Sequence, residues 1–277
     1  MKSLLCIVSL FATFSLSAQK LYFNLQTGFG FATEAGQGNY HNVKIGDNTE
    51  TKELISGGLG EGVYLRASVL YKKNDWISME LGVNYLLGRE IVTTEESRGF
   101  FPSPLLLITT INSRRTKAFI VTPQLVFSLP NESKLTPYVK TGFAIGNFMK
   151  TSVDEDFITE TNFNQYEINT TYILNGGNPF GFTAALGTQY FINEKVSFII
   201  DFNLLSMSYR PHKSTMTKHK IDGVNNLDGL SLRQREIIYN NKLENTGNIN
   251  ENEPFKALPI SIPMSNVSFN AGLQVTF

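Results

Sequence analysis

Apolar and polar residues alternate one by one through much of this chain. Residues 268–277 show it most fully. Phe269, Ala271, Leu273, Val275 and Phe277 share one parity, and Ser268, Asn270, Gly272, Gln274 and Thr276 share the other. A period of two belongs to a strand whose two faces meet different surroundings. The same rhythm predicts strands near 21–32, 60–71, 76–89, 117–128, 135–148, 180–192, 196–209 and 264–277.

Two kinds of connection join these segments. Short ones carry turn-forming residues: Lys72-Lys-Asn-Asp75, Leu129-Pro-Asn-Glu-Ser-Lys134 and Asn193-Glu-Lys195. Long ones, near 33–59, 90–116, 149–179 and 210–263, are rich in Asn, Thr, Gly and charge. Short and long connections alternate, so all the short turns fall on one side of the sheet. The pattern predicts an all-β fold, an eight-stranded antiparallel up-and-down transmembrane β-barrel, with short periplasmic turns and long extracellular loops.

Parity assigns the two faces. Leu25, Phe29, Leu65, Val69, Leu81, Val83, Phe119, Val121, Leu125, Val139, Phe143, Phe182, Leu186, Phe202 and Leu204 are expected to face lipid. Asn24, Gln26, Arg66, Ser68, Glu80, Thr122, Gln124, Lys140, Thr183, Gln189, Asp201, Asn203, Asn270 and Gln274 are expected inside, on a face too polar for a dry core. Small barrels fill such a lumen with side chains. Pro123 and Pro137 lie on the outward parity and should mark breaks in regular pairing, since Pro has no ladder donor. Tyr22, Tyr71, Trp76, Tyr138 and Tyr190 lie near the short turns, where an aromatic belt is expected.

Both termini change the picture. Lys2, the apolar stretch Leu4 to Leu16 and the small residues Ser15-Leu-Ser-Ala18 have the layout of a secretory signal peptide, expected at 1–18. The stretch is shorter than the ~20 residues of a membrane-spanning helix. Cys6 lies too early to be a lipoprotein acceptor. Cleavage after Ala18 would remove the only Cys and leave 19–277 as one domain. At the other end, Asn270, Gly272, Val275 and Phe277 resemble the C-terminal signal of bacterial outer-membrane β-barrels. The resemblance implies that the barrel-assembly machinery reads this segment. With the strand rhythm and the signal peptide, the chain resembles the small eight-stranded, porin-like barrels of Gram-negative cell envelopes. Families of this shape include adhesins, small hydrophobic-compound channels, secretion-accessory proteins and lipid-modifying enzymes, so the fold does not name a function.

Charge narrows the partners. Twenty-four basic and 24 acidic residues cancel, which argues against a nucleic-acid partner. Four lumen positions are charged: Arg66, Glu80, Lys140 and Asp201. Counted from the short turns they lie at similar heights, with Arg66 and Glu80 nearly opposite on adjacent strands. Structurally they form an ion-pair network; functionally they could form a gated constriction, but an eight-stranded interior leaves little room for an open pore.

Catalytic chemistry finds little support. His41, His212 and His219 fall in long connections, no metal or cofactor site is expected, and no His-x-Ser signature of lipid deacylases is present. Thr27-Gly-Phe-Gly-Phe31 and Gly57-Gly-Leu-Gly-Glu-Gly62 lack the rest of a nucleotide or phosphate loop. In 210–263, Ser231-Leu-Arg-Gln234 resembles a capping box, and an amphipathic helix over about 230–241 is expected. The reading is a non-enzymatic outer-membrane protein, in contact with outer-membrane lipid, whose outer loops bind an extracellular or envelope partner. The alternatives are a narrow channel for small or hydrophobic solutes and an outer-membrane lipid-modifying enzyme.

Overall fold

A computed structural model describes residues 20–33, 41–46, 49–54, 58–99, 106–129, 133–160, 165–243 and 250–276. The expected signal peptide lies outside them. In chain order the strands are β1 (Lys20–Ala32), β2 (His41–Gly46), β3 (Thr49–Leu54), β4 (Gly62–Lys72), β5 (Ile77–Gly88), β6 (Ile91–Gly99), β7 (Leu106–Ser128), β8 (Leu135–Glu160) and β9 (Gln165–Asn175). β10 (Phe180–Phe191), β11 (Val196–Tyr209), β12 (Lys213–Ile221), β13 (Val224–Asn225), β14 (Glu236–Tyr239), β15 (Phe255–Ala257), β16 (Ile262–Pro263) and β17 (Asn266–Thr276) follow.

Pairing closes the sheet into a ring. β1 pairs β4, then β5, β7, β8, β10, β11 and β17 follow in turn, and β17 returns to β1, antiparallel at every step. The seam is continuous from Tyr22↔Thr276 to Ala32↔Asn266. A closed ring leaves no unpaired edge, the condition for spanning lipid with strands. Among the described residues, no helix is long and apolar enough to cross a membrane.

The alternating faces agree with the sequence. Leu25, Leu65, Val69, Val139, Phe143, Phe182, Leu186 and Phe202 are exposed on the outside, and Asn24, Gln26, Arg66, Glu80, Gln124, Lys140, Asp201 and Asn270 are buried inside. Trp76 and Tyr190 lie on the outer surface near the short turns. Tyr22 and Tyr138 do not join that belt. They share the parity of Asn24 and Lys140 and line an interior cavity.

Three further expectations are corrected. The long connections are not plain loops: β7 and β8 continue far past the ring, pairing as far as Leu107↔Glu160, and β6, β9 and β12 extend this sheet on both sides. The Thr, Asn and Ser that look loop-like in sequence pair across strands there, as in Asp154↔Thr171 and Glu155↔Thr170. The helix over 230–241 is a single turn, Leu232–Arg235. Its capping box is formed by Ser231 and Gln234, but β-branched Ile237 and Ile238 pair with Ser214 and Lys213 and carry the chain into β14. The interior is also not polar throughout. Leu59, Leu86, Ile120, Leu205, Met207 and Met264 form a buried apolar cluster at the end of the ring nearer the long connections.

Candidate functional site in the barrel interior

The interior is built as two stacked layers. The first gathers the four charges. Arg66 on β4 donates through Nη2 to Glu80 Oε1 on β5 at 2.7 Å. Lys140 Nζ on β8 lies 2.9 Å from Glu80 Oε2 and 3.6 Å from Asp201 Oδ2 on β11. Four strands converge on one point because each presents its charge on the inward parity. Arg66 and Glu80 are not opposite in register: Arg66 faces Asn84, and Glu80 faces Leu70. The long guanidinium arm closes that offset along the barrel axis.

Neutral donors complete the layer. Gln26 and Asn270 donate to Asp201 at 3.0 and 2.8 Å, and the Tyr138 hydroxyl donates to it at 3.1 Å. The Lys140 ammonium also lies 4.8 Å from the centre of the Tyr138 ring. Gln124 accepts from Arg66 and passes the chain on to Thr183 and Asn203. Glu80 and Asp201 have no exposure to solvent. Two charges of each sign in a low-dielectric interior offset one another's desolvation, and the extra hydrogen bonds make that balance workable.

Room for this layer is set by backbone approach. At Gly187 a Cβ would stand 2.6 Å from the Tyr138 ring and hydroxyl and 2.5 Å from Ile200 O. At Gly272 a Cβ would stand 2.0 Å from Leu25 O across the seam. Gly272 of the expected assembly signal therefore also has a packing role. Asn270 of that signal belongs to the charge layer, Val275 pairs with Phe23 and Val196, and Phe277 lies outside the described residues.

The second layer is the apolar cluster, which sequence reasoning missed. Its members share the parity of Asn84, Thr122 and Asn203, so the strands change chemistry along their length without changing face. Tyr64 fixes the apolar layer at its outer end: Asn266 Nδ2 donates to its hydroxyl at 2.7 Å, and the hydroxyl donates to Gly60 O at 3.0 Å. Between the layers lies a space of about 20 Å³, beside Tyr64, Asn84 and Ile120. Toward the short turns the interior widens to a cavity of about 340 Å³ beside Tyr22, Lys72, Thr136, Tyr138, Lys140 and Gln189.

Among the described residues, His212 and His219 do not assemble. His219 Nδ1 lies 3.2 Å from Thr170 Oγ1 near one end of β12, and His212 precedes the other end. The side chain of His41 lies outside the described residues.

A closed ring of amphipathic strands with an apolar exterior is the architecture of a membrane barrel, and the family comparison agrees. The model of the Outer membrane protein beta-barrel domain matches residues 6–229. The chain belongs to that family. It is an outer-membrane barrel protein, and its exposed apolar band faces lipid. Solved structures similar to this barrel include Neisserial surface protein A, at 10% identity over 94% of this chain and 100% of that one, with a TM-score of 0.38. The outer membrane protein OprG from Pseudomonas aeruginosa aligns at 11% identity over 94% of this chain and 96% of that one, with a TM-score of 0.45. The outer membrane protease OmpT from Escherichia coli aligns at 8% identity over 96% and 99%, with a TM-score of 0.29. Likenesses this distant carry nothing about what the barrel does. No curated protein matches the chain.

Proposed function

We propose that this barrel has eight membrane strands, is non-enzymatic, and serves as a closed scaffold that holds an external β-sheet out to an extracellular or envelope partner. One observation carries the reading: the interior is blocked twice, by the charge layer and by the apolar cluster, with about 20 Å³ between them. Solute passage would need both layers to open. The strands that leave the ring on the side of the long connections are instead braced by continuous pairing through β6, β7, β8, β9 and β12. A rigid sheet presents a partner surface at a smaller entropy cost than mobile loops do.

In this reading the short turns are periplasmic, and the segment containing Asn270, Gly272, Val275 and Phe277 is read by the barrel-assembly machinery. Single-channel recording on purified protein tests the closed interior. A silent trace is expected, and a reproducible open state would favour the narrow-channel alternative. Crosslinking in cells, followed by isolation of the barrel with and without the sheet beyond Thr116 and Thr151, tests the partner surface. Capture that is unchanged by trimming would sink it.

A further inference from the structure

On the outside of β7 and β8, at the upper edge of the apolar band, Lys117 and Lys150 are direct cross-strand partners and both are exposed. Like charges placed opposite each other destabilise a sheet unless something neutralises them. Among the described residues neither ammonium has an ion-pair partner. Arg115 is exposed two residues further along β7, with Nε donating to Gly88 O at 3.2 Å. The positive rim continues past Asn175, the β9 partner of Lys150, to Arg210, which borders an open cavity of about 330 Å³. Of the acids on this flank, Glu90 accepts from Ser113, Asp154 accepts from Thr171 and Ser152, and Glu236 pairs with Lys213. Beside Lys150 the pairing bulges, and Phe148, at a φ of 49°, projects outward with 84% of its surface exposed.

Directly below, the ladder between the same two strands is interrupted without a change of register. The register runs Val121↔Ile145 and resumes at Gln124↔Gly142, leaving Thr122 and Pro123 without ladder partners on β8. Pro has no ladder donor, so the gap has a covalent cause. An outward furrow of about 460 Å³ lies there, walled by Met79, Pro123, Leu125, Phe143 and Phe182. From Lys117 to Pro123 the strand runs about 20 Å at ~3.4 Å per residue. At a tilt near 45° that is a depth of about 14 Å, close to one leaflet of a ~30 Å hydrocarbon core. A cationic rim and an apolar furrow one leaflet deeper match the two ends of an anionic lipid.

We propose that this flank is a binding site for a phosphorylated glycolipid of the outer leaflet, with a phosphate between Lys117 and Lys150 and an acyl chain running past Phe148 into the furrow at Pro123. The assignment rests on the orientation proposed above, with the long connections outward.

Native mass spectrometry of the purified full-length barrel tests it, with a phosphorylated lipid A and its dephosphorylated form as probes. A one-to-one adduct is expected with the phosphorylated lipid. Lys117→Glu with Lys150→Glu should lower its occupancy about tenfold or more, because each cation near a membrane surface contributes appreciably to anion binding. If that variant fails to fold, Lys117→Gln with Lys150→Gln serves in its place. Thr141→Trp, which crowds the furrow, should lower occupancy with every charge intact. Lys73→Glu with Lys195→Glu, near the short turns, should leave it unchanged. Equal retention of the dephosphorylated lipid, or indifference to the rim variants, would overturn the site. Displacement of the lipid by inorganic phosphate alone would reduce it to a free-anion site and overturn the lipid assignment. Loss only in the short-turn variant would reverse the orientation, which fails separately from the partner-binding reading.

Discussion

Arg66 reaches Glu80 from the neighbouring strand, Nη2 to Oε1 2.7 Å, although the two residues are not paired in register. Glu80 also holds Lys140, so one carboxylate bridges two cations. Glu80→Ala should therefore destabilise the barrel by about 3–5 kcal/mol, the range for leaving a buried charge uncompensated. Adding Arg66→Ala should recover part of that loss, since Lys140 and Asp201 still balance. Urea unfolding from lipid vesicles across the double-mutant cycle gives the coupling, and strict additivity would show that these side chains are hydrated independently.

Tyr138 and Gly187 should behave as a matched pair. Tyr138→Phe removes one of three neutral donors to Asp201 and should cost about 1–3 kcal/mol. Gly187→Ala places a methyl within 2.6 Å of the Tyr138 hydroxyl and should cost about 1–3 kcal/mol through overpacking. A neutral Gly187→Ala in the same assay would mean that the ring is not held where the structure puts it.

The lipid face should reject charge. Phe202→Arg, on an exposed apolar position, is expected to cost about 2–4 kcal/mol near the bilayer midplane. Gln189→Arg should be milder because Gln189 borders the open cavity. Gln124→Arg should not be mild, although Gln124 also faces inward, because it would set a second guanidinium against Arg66. Folding yields into vesicles rank the three, and equal yields would reject the face assignment.

The two interior layers should block conduction independently. Arg66→Ala with Glu80→Ala opens space only in the charge layer, so planar-bilayer recordings are expected to stay silent. Adding Ile120→Gly and Leu205→Gly should produce openings. Steady current in the first variant would mean that the apolar cluster does not seal.

Much of this was legible in the sequence, and the failures share a physical origin. Period-two parity found the ring strands, and β11 falls at the expected 196–209. It also pointed Arg66, Glu80, Lys140 and Asp201 inward, because parity needs no knowledge of the partner strand. It could not supply the Arg66–Glu80 offset, which depends on register. The apolar layer was hidden because Leu86, Ile120 and Leu205 each adjoin an outward apolar residue, Leu87, Val121 and Leu204. In sequence such a run blurs the alternation. The outer sheet was hidden because Asn, Asp, Glu and Lys are poor strand formers until a neighbouring strand pairs with them. Ile237 and Ile238 lie inside the expected helix of 230–241, but pairing with β12 prevailed there.

The seam between β1 and β17 sets an order of events. The residues of β1 find one edge partner early, in β4, but the other edge waits for residues more than two hundred positions later. Until they arrive, the nascent sheet carries two open borders, each able to accept a stray strand. Completion is thus a long-range closure, slow by its topology. What separates a finished barrel from an aggregation-prone ribbon is the docking of a single strand.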